Sequence, residues 1–399
     1  MKKIYIVVLS IAAGIALVQG CSKMEPSAPA GDQALDGPLD GLTYAQAAQH
    51  GRGDVAFTDQ VFTSASGLGS IFVATSCGSC HAGDGKGHPF TTLTRFGQTD
   101  STGNHFLNQG GPQLQDRALP GYEPEQIPAG ATFARFTPPG NTGLGFLELV
   151  PDSAILAMAD PNDANGDGIS GVPNWNDIPA FAIPRPGAAI RNGKYICRFG
   201  KKGSVYNLLQ QTANAYNQDI GITSAFELND VYSHLDIDPE ISTTTINDVV
   251  FYLQTLKAPI QRNQNDADIL AGGQLFNNIN CSGCHKPVLK TGYSPVDALS
   301  YKTVAPYTDL LLHDMGPGLD DGYTEGTAKT SEWRTAPLWG LGLSPKSQGG
   351  QYFLLHDGRA KSIEEAIQLH GGEATRAKNA FNALTETDRQ KLLQFLKSL

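Results

Sequence analysis

The sequence predicts a mainly α-helical chain of two domains built on one plan, with long irregular loops. Three observations carry that expectation. A Cys-x-x-Cys-His pentapeptide occurs twice, as Cys77-Gly-Ser-Cys80-His81 and as Cys281-Ser-Gly-Cys284-His285. A Gly- and Phe-bearing segment precedes each copy, Gly67-Leu-Gly-Ser-Ile-Phe72 and Gly272-Gly-Gln-Leu-Phe276, with the Phe five residues ahead of the first Cys in both. Far downstream of each lies a helix-like apolar stretch. The first, residues 248–256, is stopped by Lys257-Ala-Pro259; the second, residues 391–399, is opened by Thr385 and Asp388 in a capping-box-like arrangement.

Taken in order, the chain begins with Lys2 and Lys3, an apolar run over residues 4–18, and then Val18-Gln-Gly-Cys21. This pattern is that of a bacterial lipoprotein signal peptide over residues 1–20, with Cys21 as the acylated residue. The competing reading is an uncleaved membrane helix, for which the run is short, because about 20 apolar residues are needed to span a bilayer. Residues 21–44, rich in Pro, Gly, Ala and Asp, read as a flexible tether. The two domains are then residues 45–258 and 265–399, separated by the linker around Pro259. The first is about sixty residues longer between its pentapeptide and its closing helix, and a total of 45 Gly and 24 Pro puts that extra length in loops with little sheet.

The formal net charge of -10 argues against nucleic acid as a partner, which would need clustered Lys and Arg, and would suit a basic redox partner. Six cysteines are accounted for by Cys21, the two pentapeptides and Cys197, which reads as a small buried residue.

The pentapeptides are the informative chemistry. Two thiols at this spacing match the two vinyl groups of one porphyrin, and the adjacent imidazole reaches the iron, so CxxCH marks covalent c-type haem attachment. A zinc site would want two further ligands close by, and a redox dithiol would want a βαβ context; neither is present. The repeated plan, a helix leading into CxxCH and a closing helix packed across it, is that of a c-type cytochrome. Two covalently attached haems are therefore expected, with His81 and His285 as proximal iron ligands. Opposite His285 the sequence offers His370. Ser362 and Glu365 cap a short helix over residues 363–370, whose Ile363, Ile367 and His370 share one face. A histidine held by the carbonyls of a helix end is the alternative. For the first haem, His88 and His105 lie nearby in polar, Gly-rich stretches, and an open sixth position fits equally well.

Longer motifs resemble the di-haem oxidoreductase family, relatives of bacterial di-haem cytochrome c peroxidases. They include Gly110-Gly-Pro-Gln-Leu-Gln-Asp-Arg-Ala118, Gly143-Leu-Gly-Phe-Leu-Glu148, Asp163-Ala-Asn-Gly-Asp-Gly-Ile-Ser-Gly171, Arg198-Phe-Gly200, His313-Asp-Met-Gly-Pro-Gly-Leu-Asp-Asp-Gly322, Arg334-Thr-Ala-Pro-Leu-Trp-Gly-Leu-Gly342 and His356-Asp-Gly-Arg359. The resemblance implies that the ligand fourteen residues beyond His356, namely His370, serves an electron-transfer haem. It implies that Glu148 is the distal acid and base over the catalytic haem, and that calcium binds between the haems. Asp163, Asn165 and Asp167 before Gly168 are the calcium candidates, although Asn174 stands twelfth in the loop where an EF-hand has Glu; a plain Asx-rich turn is the alternative. One departure stands out. Family members often continue Arg-Phe-Gly with Trp, whereas this chain has Lys201. Of Trp175, Trp333 and Trp339, the last is expected near the second haem.

The expected activity is reduction of hydrogen peroxide with electrons from a small cytochrome or cupredoxin, at a bacterial envelope membrane. The rivals are a non-catalytic electron carrier and an oxidase of a thiol or protein side chain.

Overall fold

The structure, a computed structural model, describes residues 37–98, 100 and 103–399. The signal peptide and Cys21 lie outside the described residues. Two helix pairs organise the rest. In the first half, α1 (Tyr44–Asp54), α2 (Leu208–Gln218) and α3 (Thr243–Thr255) are the longer helices. In the second half, α4 (Ala267–Asn278) and α6 (Glu386–Ser398) flank the short α5 (Ile363–Leu369). Each begins where a side chain satisfies the free amides of a first turn. Thr43 and Gln46 form a capping box on α1, Asp266 accepts from Asp268 and Ile269 N–H on α4, and Thr385 accepts from Asp388 N–H on α6.

The closing helices cross the opening ones at glycines. A Cβ at Gly53 would overlap the Asp248 carbonyl, and one at Gly272 would overlap the Lys391 carbonyl, so α1 meets α3 and α4 meets α6 backbone to backbone. Four residues after each glycine comes a buried Phe. Phe57 lies 5.9 Å from His81 and 5.5 Å from Tyr252; Phe276 lies 6.5 Å from His285 and 5.4 Å from Phe395. A second crossing repeats as well. Gly143 (φ 74°) and Gly340 (φ 71°) turn the chain through the left-handed region, and Gly145 and Gly342 then press on the Gln254 and Lys397 carbonyls near the ends of the closing helices.

This duplication corrects the expected register of the first half. Gly67 to Phe72 is not the opening helix; it is a turn followed by a two-residue strand, Ile71–Phe72, paired with Arg117–Ala118. The helix that crosses the closing one is α1, extended by one wide turn over Val55–Asp59. Packing decides the matter, because a side chain at Gly53 would collide with α3, whereas one at Gly67 meets nothing and one at Gly69 meets Gly221.

Two further expectations change. Residues 37–43 are docked: Leu39 N–H donates to the Thr255 carbonyl at 2.8 Å, and Leu39 and Leu42 pack beside Phe146. Helix exceeds strand, yet most of the described chain is irregular, and its loops pair into five small antiparallel sheets among the described residues, such as Leu93–Gly97 with Thr132–Phe136. Extended loop segments must satisfy their backbone groups, and short ladders do so.

The halves interlock. Thr137 N–H donates to the His356 carbonyl at 2.8 Å, Arg334 N–H to the Lys201 carbonyl at 3.1 Å, and Val172 bridges Leu312. No described helix is long and apolar enough to cross a membrane.

Candidate functional site

Both pentapeptides open onto one continuous cavity of about 410 Å³, within the range of about 300–1,000 Å³ usual for ligand pockets. Cys77, Cys80 and His81 stand on its wall in the first half, and Cys281, Cys284, His285 and His370 in the second. None of the four pentapeptide cysteines is in a disulfide. Burial pushes Cys77 up to about 12 and Cys80 up to about 11, so both are protonated at neutral pH.

The imidazoles are prepared in a consistent way. His285 Nδ1–H donates to the Tyr307 carbonyl at 3.0 Å, and His370 Nδ1–H donates to the Ala366 carbonyl at 2.6 Å. Burial lowers His285 to about 4 and also lowers His370, so both are neutral. A neutral ring with Nδ1 fixed by a carbonyl leaves Nε2 available to a metal. His81 is likewise neutral, lowered by burial to about 4 against a hydrogen bond with the Pro139 backbone. His370 ends α5, and Ile363, Ala366 and Ile367 line the cavity with it, as the face expected from spacing.

A model of the family described as "Di-haem oxidoreductase, putative peroxidase" matches residues 134–399. The chain belongs to this di-haem oxidoreductase family. Its cofactors are accordingly haems. Two solved structures are similar to it over much of their length. Hydrazine synthase of Kuenenia stuttgartiensis, pressurised with 20 bar xenon, is 12% identical, with 94% of this chain and 93% of that one covered and a TM-score of 0.43. A MauG-like protein associated with microbial copper homeostasis is 16% identical, with 65% and 89% covered and a TM-score of 0.33. Both TM-scores lie below 0.5, and nothing is carried from either protein to this one. No curated protein sequence matches the chain.

The residues of this di-haem oxidoreductase fit two haems. Each end of the cavity offers a thiol pair, a neutral imidazole and apolar walls. The second end adds His370. The first end adds no comparable ligand: neither His88 nor His105 lines the cavity. His88 stacks on Phe90 and accepts from its N–H, and His105 is exposed beside Asp100. The first half instead packs α2 on its closing helix, as the second packs α5. The wall residues of α2 are Leu208, Gln211, Thr212, Ala215 and Tyr216. The hydroxyls of Thr212 and Tyr216, one turn apart and both buried, have no hydrogen-bond partner.

Glu148 does not line the cavity, although Leu144 and Leu147 on the same short helix do. Its buried carboxylate accepts from Leu208 N–H and from Gln254 Nε2, both at 2.7 Å. Burial raises its pKa, partly countered by those two donors. The calcium candidates are not gathered into a cage. Asp163, Asn165 and Asp167 each accept an N–H of their own loop, from Gly168, Asp167 and Ile169. Arg376 donates to the Asp167 carbonyl at 2.7 Å. No cluster of three or more His, Cys, Asp or Glu able to hold a metal ion occurs among the described residues. Trp339 lies on the wall against Gly143, which puts it between the halves rather than within the second.

Several wall residues escaped the sequence reading. His313, pushed well above its usual range, is held by Asp309 at 2.9 Å and Glu373 at 2.7 Å, and its Nδ1 lies 3.5 Å from Cys284 Sγ. Trp333 stacks flat on His356 at 3.7 Å. Both histidines sit in motifs that were visible, but only packing shows that they face the cavity.

Proposed function

We propose that this chain is a c-type di-haem peroxidase that takes electrons in through its second half and reduces hydrogen peroxide in its first. The observation that supports this most is the difference between the two walls. The second half sets His370 on the cavity with His285, whereas α2, the corresponding helix of the first half, presents Gln211, Thr212, Ala215 and Tyr216.

In this reading Cys281 and Cys284 hold one haem and Cys77 and Cys80 the other. His285 and His370 would hold the second iron and His81 the first. Haem iron, when bound, supplies one-electron storage and, at an open axial position, peroxide activation. The chain's own residues supply the rest. The hydroxyls of Thr212 and Tyr216 are free to donate to a small oxygen ligand in the first half. Burial favours the neutral form of Glu148, which follows the cavity-lining Leu147 in the chain and is our proposed proton donor. The apolar wall excludes competing water. The balance is one peroxide, two electrons and two protons giving two waters, with the electrons drawn from a small cytochrome or cupredoxin. Acylation at Cys21 would tether the protein at a bacterial envelope membrane.

Steady-state peroxide reduction with a reduced donor tests the proposal. Glu148→Gln keeps an acceptor for Leu208 N–H but loses the exchangeable proton, and turnover should fall about a hundredfold. Unchanged turnover would remove Glu148 from the mechanism. A protein carrying both haems that leaves peroxide untouched would remove the peroxidase reading.

A further inference from the structure

Six Lys and Arg side chains stand on the cavity wall: Arg198 is paired with Asp152, Arg376 donates to the Asp167 carbonyl and Lys378 acts on His370, whereas the remaining three, Lys86, Lys201 and Arg334, act on one another. Hydrogen bonds tie their segments together. Gly87 N–H donates to the Pro138 carbonyl at 3.0 Å, Lys201 Nζ donates to Thr137 Oγ1 at 3.3 Å, and Arg334 N–H donates to the Lys201 carbonyl. Lys201 acts on the imidazole of His81, and Gly87, next to Lys86, packs on the Cys80 carbonyl. The charges acting on Cys77 and Cys80 are those of Asp219 and Arg117, whereas Lys86, Arg334 and Asp357 act on Lys201.

Among the described residues none of the three is in an ion pair, although Asp309 acts on Arg334 and Asp357 on Lys201 from farther off. Lys202, next along the chain, shows the contrast: its Nζ donates to the carbonyls of Lys329, Thr330 and Glu332 at 3.1, 3.0 and 3.1 Å and lies 3.8 Å over the Trp333 ring. Lys201 has one hydroxyl, and Lys86 Nζ has no hydrogen-bond partner among the described residues. Arg334 donates Nε and Nη1 to the Gly200 and Thr335 carbonyls, which carry no net charge. Asp357, the carboxylate that acts on Lys201, is itself bound by Arg359 at 2.7 Å. Cations taken out of water without a partner are costly, so a wall of this kind is made for an anion.

We propose that Lys86, Lys201 and Arg334 form a carboxylate clasp that takes the propionates of the haem held at Cys77, Cys80 and His81. The assignment rests on the haem reading above. A haem fixed by thioethers along one edge carries its propionates on the opposite edge, and Lys201 acts on His81, whereas Asp219 and Arg117 are the charges acting on the thiols. Because Arg334 belongs to the second half and the two lysines to the first, the clasp also fastens the halves around the haem. A free small carboxylate would satisfy the same cations, and the experiment separates the two sources.

The measurement is a potentiometric titration of both haems in the full haem-loaded chain, for the wild type, Lys201→Met, Lys86→Met and the double variant. Removing a cation leaves propionate charge uncompensated and favours the ferric state. The first haem's reduction equilibrium should therefore fall about tenfold in each single variant, about 59 mV for a one-electron couple, and further in the double variant. The second haem's potential should stay fixed and so reports an intact fold. In the wild type, added acetate should move neither haem. Two haems with unmoved potentials in all variants would overturn the clasp alone. An acetate-dependent potential in the wild type, lost in the variants, would overturn the propionate assignment in favour of a free anion. A pyridine haemochrome count of one haem per chain would instead strike at the haem reading itself.

Discussion

The two halves share a skeleton and differ in what they aim into the cavity. In each, a glycine of the opening helix presses on the closing helix, a Phe four residues later packs beside the CxxCH histidine, and a Gly-Leu-Gly turn presses on the closing helix's last turn. In the second half the opening helix runs almost directly into its cysteines, with Gly272 nine residues ahead of Cys281; in the first, Gly53 is 24 residues ahead of Cys77. The second half fills its wall with His370, the first with two unpartnered hydroxyls. In the proposed reading a duplicated scaffold places the two cofactors, and the side chains of one helix in each half distinguish what each can do.

Four substitutions would break or sharpen this comparison. The largest effect is expected from Cys77→Ala with Cys80→Ala: haem content should drop from two per chain to one and peroxide turnover should vanish, while the spectrum of the second haem persists. Loss of the second haem's signals instead would reverse the assignment of roles. Next, His370→Ala should convert the second half to a high-spin, cyanide-binding haem, whereas Tyr216→Phe should leave spin states alone and weaken cyanide binding to the first by about tenfold, the worth of one hydrogen bond. Equal effects of both on one haem would end the pairing of α5 with α2.

A smaller effect should come from the helix crossings. Gly53→Ala and Gly272→Ala should each cost about 1–3 kcal/mol in thermal or denaturant unfolding, because a methyl group meets a carbonyl. Gly51→Ala, one turn-edge away on α1 with open space around it, should stabilise by about 0.5–1 kcal/mol. Similar values at positions 51 and 53 would refute the crossing. The smallest concerns pH. Glu148 has a raised folded pKa, so the folded state holds its proton to higher pH than the unfolded state, and stability falls as pH rises from the ordinary carboxylate range through the folded value. Glu148→Gln should therefore gain in Tm relative to the wild type as pH is raised above about 4.5, the model-compound range. A difference in Tm that does not vary with pH would mean that the carboxyl is not perturbed.

The second half was legible in the sequence because its signals are contiguous. The run from Gly272 to Cys284, the Ser362 cap, the Ile363/Ile367/His370 face and the Thr385 cap each fall where expected. The first half misleads because a Gly/Phe pair occurs twice before Cys77, and nothing in spacing says which glycine meets a backbone. The Asx-rich loop reads as a cation site, but Asp163, Asn165 and Asp167 turn their oxygens to their own amides. Lys86 and Lys201 were illegible for another reason: a lysine in a Gly- or Pro-rich loop looks solvated until the enclosing walls are known. Lys201 was noticed only as a departure from the family pattern, and its place on the wall gives that departure a physical role.

The inequality of the two ends is the central claim, and a ferric electron paramagnetic resonance spectrum of the haem-loaded protein tests it most directly. The structure leads us to expect one high-spin signal, abolished by cyanide, together with one low-spin signal that cyanide leaves unchanged and that His370→Ala removes. Two low-spin signals indifferent to cyanide and peroxide would contradict the claim and make the protein an electron carrier.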